Sequence, residues 1–597
     1  MRGTRVILVG GDRKPGRWWI GLVAFALLSL LACAAIVVLL DPAFVPRANH
    51  APSPQLALLN ALPGMLLALL LLAVMRRPWL SLLVTLGLAY LLYTANAIKL
   101  DLLDTPLVPA DFLLLRHLGD GGALLARYVS WRKVVYLLAG AAMTGVLLAR
   151  EPPWSTLRGV RRAALFVLAA TLGASLVSGL RPWPDVYAAD GREFLSWSPS
   201  ASVRRSGLPI TLLRYTWSMA FELPEPDRAA ADRLVRELAP APSRPASDAD
   251  LPDIVVVQSE SFFDPARLRG FEPSQTLPEL RRLQARSRHG DLYVPTYGGG
   301  TIRTEFEVLT GIAMRYFPTV QYPYFRLTTD GVASLASVLA GRGYRTIAVH
   351  PHARAFWNRA SALRQLGFAA FDDEEAFEGA PRVGYYVGDE ALVDHVLQQL
   401  DEAKQPLFLF VISMENHGPY EGYPNADPAA VAAEPVPDGV TGADAREMQG
   451  YLHHLRNADR SLGRLADALR ARDRRTLLLF YGDHLPALPR IWEKAGFDDG
   501  VEAFRQPAPW LLFDSAHPVD AASEPTAAFY LPAVLLSAAG VSDPYFDLLE
   551  VLRRRDRPSP GWAPPQDEET GAWMRMRQRG EALPAPHRGR SEGGGAR

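Results

Sequence analysis

Cysteine is almost absent. Cys33 is the only one in 597 residues, so no disulfide can form within the chain. Net charge is absent too: 63 basic residues balance 63 acidic ones, which removes the electrostatic case for a nucleic-acid partner. Internal repeats are missing, so the chain does not read as a solenoid or propeller.

Long hydrophobic runs are present, but they crowd into the first 180 or so positions. Five candidate spans stand out, at 18–40, 55–75, 78–98, 133–149 and 163–180. Each is near the ~20 residues that a bilayer-crossing helix needs. One such run could be a buried core helix; five in succession read as an all-α membrane domain over 1–181. The box "LLAC" at 30–33 approximates a lipoprotein cleavage site. The apolar run continues past Cys33, however, and the arginines beside it suit an uncleaved anchor. Basic residues cluster before the first span (Arg2, Arg5, Arg13, Lys14, Arg17), between the second and third (Arg76, Arg77) and between the fourth and fifth (Arg150, Arg158, Arg161, Arg162). All three clusters fall on one side, which the positive-inside rule makes cytoplasmic. The loop 99–132 also carries basic residues, so the bias is imperfect. Its leucines recur at helical spacing between prolines, as in amphipathic segments at the outer membrane surface. Five spans then put the rest of the chain outside the cytoplasm.

Residues 182–250 read as a connector, with a surface helix near 225–238 and a Pro/Ala/Ser/Asp linker, "LAPAPSRPASDADLP". From 251 to 555 the pattern changes. Short apolar runs ("DIVVVQ", "TIAVH" at 346–350, "LFLFVIS" at 407–413, "TLLLFYG" at 476–482, "PWLLF" at 509–513) alternate with helical stretches at 331–342, 389–402 and 444–472. Strands alternating with helices predict an α/β domain with a mostly parallel sheet. The Arg/Pro/Gly-rich tail, 556–597, reads as disordered.

Ligands of open α/β sheets gather beyond the carboxyl ends of the strands. The residues that follow each run are therefore informative. "SESFFD" offers Glu260. "PHARAFWNR" follows His350 and offers His352, Trp357 and Arg359. "MENHGPY" offers His417. "DHLP" offers Asp483 and His484. Each has a bland reading alone, as a solvated acid or a turn. Together they place ligand-type side chains after one strand after another. Two carboxylates and an imidazole suit Mn²⁺ or Zn²⁺ better than a thiolate-loving metal.

The stretch "TYGGGTIRTEFEVLTG" at 296–311 completes the set. Glycines 298–300 would let a phosphate approach the backbone without a Cβ clash, and a helix starting at Thr301 would aim N–H groups at the same anion. Thr301 can be a nucleophile activated by the neighbouring cation or simply an N-cap. The local sequence favours neither.

"SESFFD", "GGGTIRTEF", "HPHARAFWNR", "MENHGPY" and "YGDHLP", in this order after five membrane spans, resemble the lipoteichoic acid synthase and phosphoglycerol transferase group of the alkaline phosphatase/sulfatase superfamily. The resemblance covers about 250–490. It implies an extracytoplasmic sulfatase-like domain, multi-pass in a bacterial cytoplasmic membrane, with one divalent metal, Mn²⁺ before Zn²⁺ or Mg²⁺. It implies transfer of glycerol phosphate from phosphatidylglycerol to a glycan or polyglycerol phosphate acceptor through a phospho-threonine. Glu260, Thr301, Asp483 and His484 then resemble the metal shell, with Thr301 the nucleophile. His350, Trp357, Arg359 and His417 resemble the pocket for phosphate and glycerol, with Arg359 offsetting phosphoryl charge and His417 either moving a proton or only holding the phosphate. The chain departs from the group at Gly300, where lysine is common, at Arg303 and Thr304, and at His352, where an acid often stands near the glycerol. Thr304 is thus a rival nucleophile.

Alternatives within the superfamily are a phosphoethanolamine transferase, whose outer domain commonly carries disulfides, and a metal-dependent phosphodiesterase. A sulfatase proper needs a cysteine or serine converted to formylglycine at the nucleophile position, where this chain has Thr301. A non-catalytic binding module is the alternative of another class; the intact candidate ligands argue against it.

Overall fold

The computed structural model describes residues 18–44, 53–103, 105–112, 131–188, 199–220, 223, 225–238, 251–271, 277–328, 332–420, 427–517, 521–556 and 567–584. The chain divides into two compact units, one reaching Glu222 and one from Leu223 onward, with Leu102–Asp104 counted in the second.

In the first unit, five helices are long and apolar enough to cross a membrane: Trp18–Leu40, Pro54–Met75, Pro78–Leu100, Lys133–Arg150 and Val160–Val177. Their bounds follow the expected spans within a few residues. The basic loops meet at one end of the bundle. Arg76 donates to Trp154 O (3.3 Å), Arg77 to Leu148 O (2.7 Å) and Arg162 to Ala73 O (2.8 Å).

The connector is not a solvated linker throughout. Its helix Leu208–Ala220 belongs to this first unit, burying Leu208, Ile210 and Trp217. Two buried polar side chains hold its start: Asp41 accepts from Leu208 N (2.8 Å) and Tyr93 Oη (3.0 Å), and Asn60 accepts from Ile210 N (3.1 Å). Away from water an unpaired backbone N–H is costly, so these contacts fix the segment where composition alone suggested a tether. The linker at 239–250 and most of the leucine-rich loop, 113–130, lie outside the described residues. What is described of that loop is pinned, with Lys99 donating to both oxygens of Asp111 (2.9 and 2.7 Å) and to Pro106 O (3.0 Å).

The second unit is built on a nine-stranded sheet: β1 (Asp253–Ser259), β2 (Arg288–Tyr293), β3 (Arg345–Val349), β4 (Ala370–Asp372), β7 (Leu407–Ile412), β8 (Thr476–Gly482), β9 (Ala508–Asp514), β10 (Ala522–Ser523) and β11 (Thr526–Ala527). The small β5 (Arg382–Val383) and β6 (Tyr386–Val387) form a separate hairpin. The order is β10-β2-β9-β8-β1-β7-β3-β4, with β11 beside β2. From β8 to β4 all pairings are parallel; β9 runs antiparallel to both β8 and β2. β7 and β8 are buried along their whole length. Covered on both faces, a strand has no polar side, and its sequence reads as an unbroken apolar run.

The long helix Ala443–Ala471 supplies Tyr451, Leu455 and Leu462 to the core beside Val255, Leu409 and Phe480. Each such side chain stabilises the fold by about 1.5–3 kcal/mol.

The tail is not disordered throughout. Glu568–Gln578 is a helix, capped by Asp567 accepting from Thr570 N (2.6 Å), and it buries Trp573, Met574 and Met576. Its apolar face packs on the helix Arg228–Leu238. Eleven residues of helix are enough to bury a tryptophan, and the Pro- and Arg-rich flanks hide them from a composition reading.

Candidate metal centre

β8, β1, β7 and β3 are neighbours and parallel, so their carboxyl ends form one edge. Glu260 follows β1, Asp483 and His484 follow β8, and Ser259 pairs with Gly482 in register. That register alone brings Glu260 and Asp483 together. One ligand atom from each of Glu260, Asp483 and His484 falls in a cluster within 4.8 Å, all three residues buried.

The supports around this cluster decide which atoms face inward. Asp483 Oδ1 accepts from Ser261 N (2.7 Å) and His484 N (2.8 Å), while Oδ2 is buried with no hydrogen-bond partner among the described residues. Ser261 holds a positive φ of 50°, strained for a serine, to make that turn. Its hydroxyl donates to Glu260 Oε1 (2.8 Å). His484 Nδ1 donates to Leu485 O (2.9 Å), which fixes the tautomer and leaves Nε2 as the ligand nitrogen, 3.3 Å from Asp483 Oδ2 and 3.7 Å from Glu260 Oε1. Burial first, and the charge of Glu260 second, push the Asp483 carboxyl well above its ordinary range. An orphaned buried carboxylate oxygen, a second carboxylate and a tautomer-fixed imidazole fit a divalent cation of the Mn²⁺, Zn²⁺ or Mg²⁺ type.

Thr301 stands at the N-cap position of the helix Ile302–Thr310, yet its side chain makes no cap hydrogen bond. Its Oγ1 lies 3.4 Å from His484 Nε2 and 3.5 Å from Glu260 Oε2. Gly298, Gly299 and Gly300 have φ of 70°, 152° and 77°, values that glycine takes freely and other residues rarely. A Cβ on Gly300 would meet Thr296 Oγ1 at 3.0 Å. Thr304, the rival, donates its hydroxyl to Asp483 O (2.9 Å) and is fully buried. It braces a ligand-bearing turn.

The other sequence-derived residues gather on the β3 and β7 side. Two of them are engaged differently than expected. Arg359 is buried with its Nε and Nη2 on Glu305 (3.2 and 2.5 Å), and its Nη1 donates to His350 Nε2 (3.0 Å). Three of its five N–H donors are thus spent inside the protein. His350 in turn donates from Nδ1 to Ile412 O (3.2 Å). Both its ring nitrogens are occupied, so it braces Arg359 instead of facing a ligand. Burial, then Arg359, hold its pKa well below 6.5, in keeping with a neutral ring. Trp357, at φ 57°, packs against Tyr322 (4.6 Å) and Phe356 (5.2 Å). His417 donates from Nδ1 to Gly418 O (2.7 Å), which leaves Nε2 for chemistry.

Sequence reasoning missed three residues. Glu305 lies one helical turn after Thr301, on the same helix face, and also accepts from Tyr324 Oη (3.0 Å). Asn416 donates to Glu260 O (3.1 Å) and Ser261 O (3.2 Å), tying the β7 loop to the β1 loop. Tyr386, on the β5–β6 hairpin, sets its hydroxyl 3.2 Å from His417 Nδ1.

Residues 252–541 match the sulfatase family. A Rhizobium meliloti protein described as a "putative cyclic beta-1,2-glucan modification protein" is 29% identical over 423 residues, 68% of this chain and 63% of that one. A capsular polysaccharide biosynthesis protein, RkpI, of the same organism is 35% identical over 245 residues, 40% of this chain and 42% of its own. The chain thus spans less than two thirds of either relative. Among solved structures, the integral membrane lipooligosaccharide phosphoethanolamine transferase A of Neisseria meningitidis aligns with a TM-score of 0.52 at 14% identity. The alignment covers 88% of this chain and 98% of that one, a likeness of fold.

Proposed function

We propose, on the premise that the chain belongs through residues 252–541 to the sulfatase family of the alkaline phosphatase superfamily, that it is a membrane-anchored phosphoglycerol transferase. It takes glycerol phosphate from phosphatidylglycerol on the outer side of a bacterial cytoplasmic membrane and delivers it to an extracytoplasmic glycan. The observation that carries this reading is the Thr301 hydroxyl, which forgoes its cap bond and lies 3.4 Å from His484 Nε2 and 3.5 Å from Glu260 Oε2. The names of the two Rhizobium relatives, a glucan modification protein and a polysaccharide biosynthesis protein, support a glycan acceptor.

Glu260, Asp483 and His484 would hold the cation with Thr301 beside it; Mn²⁺ suits the set. A divalent cation there lowers the pKa of the adjacent hydroxyl and offsets negative charge on phosphoryl oxygens. Thr301 Oγ1, as the alkoxide, attacks phosphorus. The Oγ1–P bond forms as the bond from phosphorus to the diacylglycerol oxygen breaks, and His417 Nε2 gives that oxygen its proton. In the second step the acceptor hydroxyl passes its proton to His417, bonds to phosphorus and displaces Thr301. On this reading the two remaining donors of Arg359 offset the growing charge. The lipid donor gives the five membrane helices their purpose.

The test uses full-length protein in detergent with Mn²⁺ and either phosphatidylglycerol or phosphatidylethanolamine. Diacylglycerol release from phosphatidylglycerol, with a glycerol phosphate adduct on the Thr301 peptide by mass spectrometry, is the expected result. Release from phosphatidylethanolamine alone moves the chain to the phosphoethanolamine transferases, and no release from either lipid overturns the lipid donor.

A further inference from the structure

Glu415 is buried, 2% exposed, just before His417 in the chain, and the proposed mechanism gives it no task. A buried carboxylate is costly unless donors surround it. Here the donors come from two other elements. Glu415 Oε1 accepts from Asn457 Nδ2 (2.6 Å) and His454 Nδ1 (3.1 Å), both on the long helix Ala443–Ala471. Oε2 accepts from Asp389 N (2.8 Å), the first N–H of the helix Asp389–Glu402. Gly388, at the N-cap of that helix, offers no side-chain cap bond. Glu415 supplies the missing acceptor, at the positive end of the helix.

Its place in the chain turns this anchor toward the chemistry. His417 N donates to Met414 O (3.1 Å), which closes a tight turn with Glu415 and Asn416 at its corners. Consecutive side chains of the turn engage different elements. Glu415 holds the two helices, Asn416 holds the β1 loop, and His417 meets Tyr386, with ring centroids 5.3 Å apart. Tyr386 lies on β6, which runs through Gly388 into the anchored N–H of Asp389. One carboxylate thus ties both sides of the Tyr386–His417 contact. We infer that Glu415 is a positioning residue, which sets His417 where it can hand a proton to the departing oxygen. The inference rests on the transferase mechanism above and adds a residue that acts only through His417.

The test uses full-length protein in Mn²⁺-containing detergent micelles. The substrates are phosphatidylglycerol, phosphatidylethanolamine and bis(p-nitrophenyl) phosphate, whose aryloxide leaves without needing a proton. Glu415→Gln keeps the size but turns N–H groups toward donors. It is expected to lower kcat on phosphatidylglycerol about 30-fold, the scale of a small misplacement, with KM within about twofold. The first turnover of the nitrophenyl diester should stay within about threefold, since it needs no general acid. Asn457→Ala, which removes one donor from the long helix, should show the same split more weakly, and it carries the test should Glu415→Gln not fold. His417→Ala should show the split in full, and adding Glu415→Gln to it should cost no more than about twofold further. Equal losses on lipid and diester, losses that multiply in the double variant, or an unchanged kcat on lipid would each overturn the inference and leave Glu415 a structural cap. Release from phosphatidylethanolamine alone would change the donor, and the same split measured on that lipid would still support the anchor. Cleavage of the diester with no release from either lipid would remove the transferase reading and the inference with it.

Discussion

Glu305 grips Arg359 through two nitrogens, at 2.5 and 3.2 Å, with the two side chains 0% and 3% exposed. The fork of Arg359 is therefore aligned before any substrate arrives. Removing one partner of a buried pair strands the other, at a cost of about 3–5 kcal/mol. Glu305→Gln keeps the shape and one acceptor but loses the charge. Its expected effect is a fall of about 30-fold in kcat/KM on the lipid, roughly 2 kcal/mol of transition-state stabilisation. Arg359→Lys, which cannot fork, should fall at least as far. Steady-state diacylglycerol release measures both, and near-normal rates in either would remove the pair from the mechanism.

On the proposed mechanism Thr301 carries the covalent step. Thr301→Ala should abolish the adduct and lower turnover by about 10⁴-fold or more, as nucleophile removal does elsewhere. Thr301→Ser should keep adduct formation at a reduced rate. Peptide mass spectrometry after a short exposure to lipid reads both outcomes. A Thr301→Ala protein that still releases diacylglycerol normally would point to another nucleophile.

Asp483 Oδ2 has no hydrogen-bond partner among the described residues, so a cation there would compensate a buried carboxylate oxygen. Chelation should abolish activity and lower the melting temperature, and Mn²⁺ should reverse both. At a cation concentration 100 times Kd the gain is about 2.7 kcal/mol. Asp483→Asn should lose most of this stabilisation in calorimetry. An identical thermal shift in that variant would place the cation elsewhere.

Asp459, buried in the long helix, accepts from the backbone N–H groups of Glu279 (3.0 Å) and Leu280 (2.7 Å) at the start of Pro278–Gln284. Burial raises its pKa from 3.8 to about 6. The folded state thus binds this proton more tightly than the unfolded state. Its contribution favours folding below about pH 4 and is lost as pH rises through 6, by roughly 1–3 kcal/mol. Denaturant midpoints at pH 4.5 and 7 should therefore show a smaller decline toward pH 7 in Asp459→Asn than in the unaltered chain.

The late helix makes the fifth case. Trp573 is 1% exposed and stacks on Tyr545 at 4.2 Å. Trp573→Ala should cost about 3–5 kcal/mol, visible as a lower unfolding temperature, where a disordered tail would show no change.

Much of this fold was legible because each central strand carries a short apolar run: β1, β3, β7, β8 and β9 all lie where their runs predict. β2, "RHGDLY", was not legible. It is half-buried along most of its length and owes its place to pairing with β9. The candidate metal ligands could be picked out because they directly follow strands β1 and β8. The posture of Arg359 could not, since its partner Glu305 lies 54 positions away and only the folded chain brings them together. Likewise Thr301 looked equally like a cap until the absent cap bond placed its hydroxyl elsewhere.

The edge of the sheet separates two jobs. The ends of β1 and β8 carry Glu260, Asp483 and His484; the ends of β3 and β7 carry His350, His352, Arg359 and His417. On the proposed mechanism the cation ligands and the proton-handling and charge-offsetting groups are thus held on different loops of one frame. A lineage could then retune proton transfer and charge stabilisation by rewriting two loops while the candidate cation ligands stay untouched. An engineer could do the same by grafting the β3 and β7 loops of one transferase onto another.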